Sequence, residues 1–171
     1  MKKILLIVFI LFIYHQNLSA NTTFFLDFKY ILNESDAGKK AQNFLKNKLE
    51  KGFKSLEKKE KDLQEEEKKI IKQKKIISQD EYKKQVTELR NKVNLLKKER
   101  NLLLSSVAKQ RSKARLELLK NLNPIVKNYM NEKKIRIVID KKNILLGDES
   151  LDITKDIILL LNKKLKSIDL S

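Results

Sequence analysis

One long stretch of the sequence, residues 37–121, contains no proline and is rich in charged residues separated by regularly spaced apolar ones. In its first half, apolar residues recur at every seventh position, namely Leu49, Leu56, Leu63, Ile70 and Ile77. Steps of seven keep these side chains on one side of an α-helix. The second apolar position of the heptad is occupied by Glu60, Glu67 and Lys74, so the apolar stripe is narrow. The pattern predicts a long, thin helix that has too little apolar surface for a thick bundle.

A second helix is predicted after Ser78, which has capping-box spacing to Glu81. Beyond this cap, seam residues alternate in steps of four and three, which is a sustained heptad pattern. The seam consists of Tyr82, Val86, Leu89, Val93, Leu96, Arg100, Leu103, Val107, Gln110 and Ala114. Because only a short turn near 77–81 separates the two helices, we expect an antiparallel coiled-coil hairpin about 60 Å long.

The residues before the hairpin predict a short strand. Residues 23–28 alternate, with Phe24, Leu26 and Phe28 on one side. A polar break follows, in which Ser35 or Asp36 can cap the first long helix because their side-chain oxygens accept hydrogen bonds from free amides.

The residues after the hairpin predict further strands and a last helix. Pro124 predicts a kink in a helix that continues for about two more turns. Residues 135–140 are predicted to be a strand and residues 144–146 a short return strand. Asp152 or Thr154 is expected to cap a final amphipathic helix.

These elements predict an α+β chain, in which a helical hairpin at 37–121 is inserted into a small β body formed by 21–36 and 122–171. A body of about 60 residues without disulfides has a marginal core, and its short strands leave sheet edges open. We therefore expect the chain to form an oligomer. The residues predicted at the shared core are Phe24, Leu26, Phe28, Ile137 and Ile139; the alternative is that they fill the core of a monomer.

The first 20 residues predict a secretory signal peptide. Lys2 and Lys3 precede an apolar run at 4–13, and Leu18-Ser19-Ala20 ends the segment. The alternative is a membrane anchor, but the run of about ten residues is shorter than the roughly 20 that a spanning helix needs. We expect cleavage near Ala20 and release of the remainder across the inner membrane. The chain has no cysteine, so no disulfide or thiol chemistry is expected there.

The sequence provides few residues suited to catalysis. Its one histidine, His15, lies in the predicted signal peptide, and three glycines cannot build a phosphate-binding loop. The cluster Glu65-Glu66-Glu67 lies among lysines and is interpreted as a solvated helix face. We therefore predict that the chain is not an enzyme and has no cofactor, metal or catalytic site.

Motifs at both ends of the chain resemble the Skp/OmpH family of periplasmic chaperones. Phe25-Leu26-Asp27 and Gly38-Lys39 resemble the start of the mature family sequence, while Ile137-Val138-Ile139-Asp140, Ile144-Leu145-Leu146 and Asp152-Ile153-Thr154 resemble its end. The long charged hairpin matches the central insertion of the family. The resemblance implies a periplasmic homotrimer of jellyfish-like shape, with three arms around a central cavity. It also implies binding of unfolded outer-membrane proteins without ATP.

The predicted arms carry much of the net charge of +17. Residues 46–75 contain 12 lysines against 7 acidic residues, and residues 83–120 contain 12 basic residues against 3 acidic ones. Such a field attracts an acidic, unfolded client. The basic residues expected to attract it are Lys58, Lys59, Lys68, Lys69, Lys83, Lys84, Arg90, Lys97 and Lys98. The seam residues expected to contact it are Leu56, Leu63, Ile70, Leu89, Val93, Leu96, Arg100 and Leu103; packing within the hairpin is the competing interpretation for most of them.

Two other kinds of function fit a basic coiled coil. One is a module that binds an anionic membrane surface or nucleic acid, and the other is a structural adapter that docks a partner helix. Secretion would separate the chain from nucleic acid, and the seam lacks the exposed aromatic residues that stack on single strands. We therefore expect no nucleic acid partner. Binding of an anionic membrane surface stays open as an alternative.

Overall fold

The computed structural model describes residues 22–170, so the predicted signal peptide lies outside the described residues. The elements are strand β1 (Thr23–Leu26), helices α1 (Phe28–Glu34), α2 (Asp36–Gln73) and α3 (Gln79–Lys133), strand β2 (Ile137–Asp140), and helix α4 (Thr154–Lys164). Two short 3-10 turns, Lys141–Asn143 and Glu149–Leu151, lie between β2 and α4. The described chain is mostly helical with a small two-stranded sheet, which confirms the predicted α+β class.

Helices α2 and α3 pack against each other as an antiparallel hairpin. Their N-termini are capped as predicted: the Ser35 Oγ accepts from the Gly38 N–H at 3.2 Å, and the Ser78 Oγ accepts from the Glu81 N–H at 3.2 Å. The turn between the helices, residues 74–78, forms the hairpin tip. Helix α3 runs through Pro124 without interruption and ends where Lys134 adopts a left-handed backbone with φ of 56°.

The sheet joins the two ends of the chain. Strands β1 and β2 are parallel, with Thr23 opposite Ile137 and Leu26 opposite Asp140. Parallel neighbours require a long crossover connection, and here the whole hairpin provides it. Beside the sheet, the Ile153 N–H donates to the Phe25 carbonyl at 2.9 Å.

Several predicted boundaries are wrong. Strand β1 ends at Leu26 because Asp27 caps a helix: its Oδ1 accepts from the Tyr30 N–H at 2.8 Å. Phe28 therefore begins α1 and does not end a strand. Strand β2 likewise begins at Ile137, two residues later than predicted.

The predicted return strand at 144–146 is also wrong. Leu145 and Leu146 are 96% and 90% exposed, and they lie between two 3-10 turns capped by Asp140 and Asp148. These aspartate caps bend the chain locally, so it does not extend back along the sheet.

The predicted cap of the last helix is corrected as well. Ile153 occupies the N-cap of α4 and makes no side-chain cap bond. Asp152 lies one residue earlier, where its carboxylate accepts from the N–H of Thr154 at 2.9 Å and from its hydroxyl.

The main core lies where α1, α4 and the last turns of α3 meet. Ile31, Ile157, Leu161 and Leu118 are almost fully buried there. A second cluster lies at the hairpin base, the end of the hairpin nearest the body, where Leu170 of the C-terminal tail joins apolar residues of α2 and α3. Among the described residues, no helix is both long enough and apolar enough to cross a bilayer.

Candidate functional site

The predicted seam of the hairpin forms, but its members are buried to different degrees. Leu56 and Ile70 are sealed between the helices. The half-buried members of the predicted client-contacting set are Leu63, Leu89, Leu96 and Leu103. Val93 and Arg100 are exposed. The first two therefore hold the hairpin together, and the others retain surface that a ligand could contact.

The sequence patterns missed exposed apolar side chains beside the seam. Leu95, Leu102 and Leu104 are each one residue from a seam position, and each is about half exposed. One residue corresponds to about 100° around a helix, so these side chains lie on the flanks of the hairpin and not in its seam. Consecutive leucines, where the heptad requires only one, were the signal that could have identified them.

All nine basic residues predicted to attract a client are exposed. Two of them form ion pairs: the Lys59 Nζ lies 2.6 Å from the Glu99 carboxylate, and the Lys68 Nζ lies 2.9 Å from the Glu65 carboxylate. Exposed pairs of this kind contribute roughly 0–1 kcal/mol. Most of the positive charge of the hairpin therefore faces solvent.

Oppositely charged residues at or next to the interruptions of the heptads face each other across the hairpin. Arg100 lies 4.0 Å from Glu60, and Lys92 lies 2.6 Å from Glu66. One interruption of each apolar pattern, Glu60 and Arg100, is thus matched in space, which supports the register of the two helices.

A groove of about 920 Å³ opens between the two helices at the hairpin base. Its lining is mainly apolar and includes Ala41, Leu45, Leu49, Phe53, Ala114 and Leu118. Charged side chains of both helices lie at its rim, namely Lys46, Glu50, Lys54, Glu57, Arg111 and Arg115. The sequence patterns did not predict this groove, because its lining also includes Leu32 of α1 and Ile168 near the C-terminus, which are distant in the sequence from the lining residues of α3 or α2.

The C-terminal tail, residues 165–170, covers another side of the hairpin base. Leu170 is 4% exposed and packs against Ala41, Leu45, Val107 and Ala114. The Gln110 Nε2 donates to the Leu170 carbonyl at 2.6 Å, and the Lys48 Nζ donates to the Gln110 Oε1 at 2.9 Å. Gln110, a polar member of the seam, therefore helps to hold the tail, as does the ion pair between Lys166 and Asp36 at 2.9 Å.

Four of the five residues predicted at the oligomer interface line one concave surface, which encloses a volume of about 560 Å³. These residues are Leu26, Phe28, Ile137 and Ile139. Leu26 is buried in the core of its own chain, whereas both isoleucines of β2 are exposed. Phe24 is half-buried and packs against the same core. The role of these residues in an oligomer stays a prediction.

Two polar side chains stabilise the body. The Asp152 carboxylate accepts from the Lys141 Nζ at 2.7 Å and from Thr154. Burial raises the pKa of Asp152, but these hydrogen bonds outweigh it, so the pKa lies below its ordinary value. The Tyr129 hydroxyl donates to Asp156 at 2.5 Å, which together with burial raises the pKa of Tyr129 to about 12. Across residues 22–170, no group of acidic, histidine or cysteine side chains is arranged to hold a metal ion.

A family model described as "Outer membrane protein (OmpH-like)" matches residues 22–161. The chain belongs to the OmpH-like family. OmpH-like proteins are chaperones and not enzymes, so membership confirms the prediction that this chain is not an enzyme. It also confirms the resemblance carried by the motifs at both ends of the chain.

The OmpH-like chain is similar to the crystal structure of a candidate outer membrane chaperone (OmpH-like) from Caulobacter crescentus CB15. The TM-score is 0.80 with 21% sequence identity, and the match covers 86% of this chain and 87% of that one. At this identity, the likeness shows the fold. No curated protein sequence matches the chain.

Proposed function

We propose that this chain is a periplasmic holding chaperone that binds unfolded outer-membrane proteins along its hairpin arms and prevents their aggregation without ATP. Membership in a family of chaperones supports the general role. The observation that carries the more specific proposal is the hairpin itself, whose exposed basic residues lie beside exposed leucines such as Leu95 and Leu102.

The charge of the hairpin favours capture of acidic, unfolded chains. Residues 83–120 have a net charge of +9, and residues 46–75 have +5. At physiological salt, such a field acts over about 8–10 Å. Many weak contacts then hold the client, and the client leaves as its own folding removes those contacts. No nucleotide is needed for this cycle.

The body is proposed to assemble three copies. Its core is small, and the exposed isoleucines Ile137 and Ile139 lie on the concave surface beside β2. Small cores gain stability from burial against other chains. Three hairpins that project from such a base would surround a cavity, and their like charges would keep it open. The proposed signal peptide at 1–20 would direct the chain to the periplasm.

The proposal is tested with the exported chain, purified from the periplasm. Its molar mass is measured by light scattering, and an outer-membrane barrel protein unfolded in urea is diluted into it. We expect the mass of a trimer and suppression of client aggregation. A monomer that leaves aggregation unchanged would contradict the proposal.

A charge reversal provides the matched control. Lys97→Glu with Lys98→Glu is expected to weaken protection several-fold, whereas Lys97→Arg with Lys98→Arg keeps the charge and the protection. Both lysines are exposed, so neither double variant disturbs the seam. Equal protection by both double variants would exclude these charges from client capture.

A second candidate function is binding of an anionic membrane surface at the hairpin tip. Ile76 is 81% exposed, and Lys72, Lys74 and Lys75 lie around it. A convex tip with an apolar residue among lysines suits a flat anionic interface. Co-sedimentation with phosphatidylglycerol vesicles, but not with phosphatidylcholine vesicles, is expected and should be lost in Ile76→Asp. Equal sedimentation with both kinds of vesicle would contradict this candidate.

A further inference from the structure

We propose that the groove at the hairpin base binds an extended segment of an unfolded outer-membrane protein in which apolar side chains alternate with polar or acidic ones. This inference rests on the proposed function and names the part of the chain that makes the contact. The groove is about 920 Å³, near the upper end of the roughly 300–1,000 Å³ in which proteins bury small ligands. It therefore has room for a few side chains of an extended peptide.

The C-terminal tail shows that this part of the hairpin accepts an extended segment. Ala41, Leu45 and Ala114 form a strip between the helices that belongs to the same buried cluster as Leu170 and also lines the groove. Residues 165–170 are not helical, and Leu170 is buried on this strip while Gln110 binds its backbone carbonyl. The same strip thus already holds one apolar side chain of a non-helical segment.

The tail forms part of one wall of the groove, because Ile168 is one of the lining residues, and the volume of about 920 Å³ is open with the tail in place. The end of the tail lies at Lys48 and Gln110, whereas Arg111 and Arg115 line the groove. In α3, Arg111 follows Gln110 by one residue and so lies about 100° around the helix. An added segment would therefore lie beside the tail without displacing it.

The chemistry of the groove fits one class of occupant. Strands of outer-membrane barrels alternate apolar and polar side chains. In the groove, the apolar side chains of such a segment would face Leu45, Leu49 and Phe53. Its polar and acidic side chains would face the rim, where four basic residues outnumber Glu50 and Glu57. A uniformly apolar peptide would lack the second set of contacts.

Two phenylalanines of α2 provide a matched test. Phe53 lines the groove and is 40% exposed, whereas Phe44 is 44% exposed and is not part of the lining. The probe is a fluorescent ten-residue peptide with alternating leucine and aspartate. Phe53→Ala is expected to weaken its binding to the exported protein about tenfold, the equivalent of 1.4 kcal/mol. Phe44→Ala should change it less than about twofold.

A crosslinking experiment leaves both phenylalanines in place, so it decides the matter even if Phe53→Ala fails to fold. The chain has no cysteine, so one introduced cysteine is labelled uniquely. A benzophenone attached at Lys46→Cys, on the groove rim, should crosslink the urea-unfolded client. The same group attached at Asn47→Cys, which is exposed and outside the lining, should crosslink it several-fold less.

The outcomes separate the groove from the general function. If the unaltered protein suppresses client aggregation while both phenylalanine variants bind the peptide equally and both labels crosslink equally, the groove inference is overturned and the proposed function stands. If the unaltered protein does not suppress client aggregation, both the groove inference and the proposed function are contradicted. If Phe53→Ala changes the molar mass in solution but not peptide binding, the groove is a contact between copies and the inference is also overturned.

Discussion

The body and the distal half of the hairpin contain similar aliphatic residues but are held together in different ways. In the body, Ile31 of α1 shares a core cluster with Ile157 and Leu161 of α4, and all three are fully buried. Within residues 58–100, Ile70 is the only buried residue. Burial of apolar surface dominates stability. The body is therefore the more stable part. The distal hairpin buries few apolar side chains and remains long, charged and accessible to solvent.

Hydrogen bonds between distant residues add to this difference. The Asp27 N–H donates to the Thr154 Oγ1 at 2.8 Å, and the Asp36 N–H donates to the Asn162 Oδ1 at 2.8 Å. Both bonds join the N-terminal segment to the C-terminal helix. In the distal hairpin, the side-chain links between the helices are exposed ion pairs, which salt screens.

The largest expected effect comes from the body core. Ile157→Ala should lower the free energy of unfolding by about 3 kcal/mol, because it leaves a cavity where no surface reaches solvent. Leu63→Ala, at a half-buried seam position, should lower it by about 1 kcal/mol. Urea unfolding followed by circular dichroism measures both. Equal losses would show that the hairpin seam is as well packed as the body.

A second prediction concerns the pH dependence of the body. Asp152→Asn should cost about 2 kcal/mol at neutral pH, because hydrogen bonds to a charged group are lost. The pKa of Asp152 is lowered on folding, so its contribution is present above its ordinary value of 3.8 and is lost as the pH falls through the folded-state pKa.

The difference between the original protein and Asp152→Asn should therefore shrink below about pH 4. Urea unfolding at several pH values measures it. A difference that stays constant down to pH 2 would show that the carboxylate charge is not what stabilises the turn before α4.

A smaller effect is expected where the hairpin helices approach closely. A Cβ at Gly52 would lie 2.5 Å from one Leu103 methyl, so Gly52→Ala should cost about 1 kcal/mol despite the better helix propensity of alanine. In a Leu103→Ala background the same change should stabilise the protein. A double-mutant cycle measures this coupling. Additive effects would mean that the helices separate to accommodate the methyl group.

The smallest effect is expected from the exposed ion pairs. Glu99→Gln removes the partner of Lys59 and should lower the unfolding free energy by at most about 1 kcal/mol. The loss should decrease further in high salt. Thermal unfolding at two salt concentrations measures it, and a loss comparable to that of Ile157→Ala would contradict the contrast between body and hairpin.

Much of the hairpin could be predicted because its signals are local. The heptad spacing of Leu56 and Ile70, together with the caps at Ser35 and Ser78, depends on residues three to seven positions apart. Where two local signals favoured different structures, the prediction from sequence was wrong. Alternation predicted a strand through Phe28, but the Asp27 side chain caps α1 and determines the backbone there.

The candidate groove and the tail could not be predicted in the same way. Leu170 is one of three apolar residues in the segment 165–170, and nothing near it in sequence indicates that it joins a buried cluster with Ala41 and Val107. Likewise, the place of Phe53 in the lining of the groove depends on residues of α1, α3 and the C-terminal tail that are distant from it in the sequence.

The sequence alone determined the elements whose stability comes from neighbours along the helix: the two long helices, their caps and the charge that they present. The tertiary structure decided that β1 pairs with β2 in parallel, that the C-terminal tail packs on the hairpin base, and that a groove forms there. The physical reason is that contacts such as Gln110–Leu170 and Asp27–Thr154 join residues 60 and 127 positions apart, and side-chain periodicity carries no information about them.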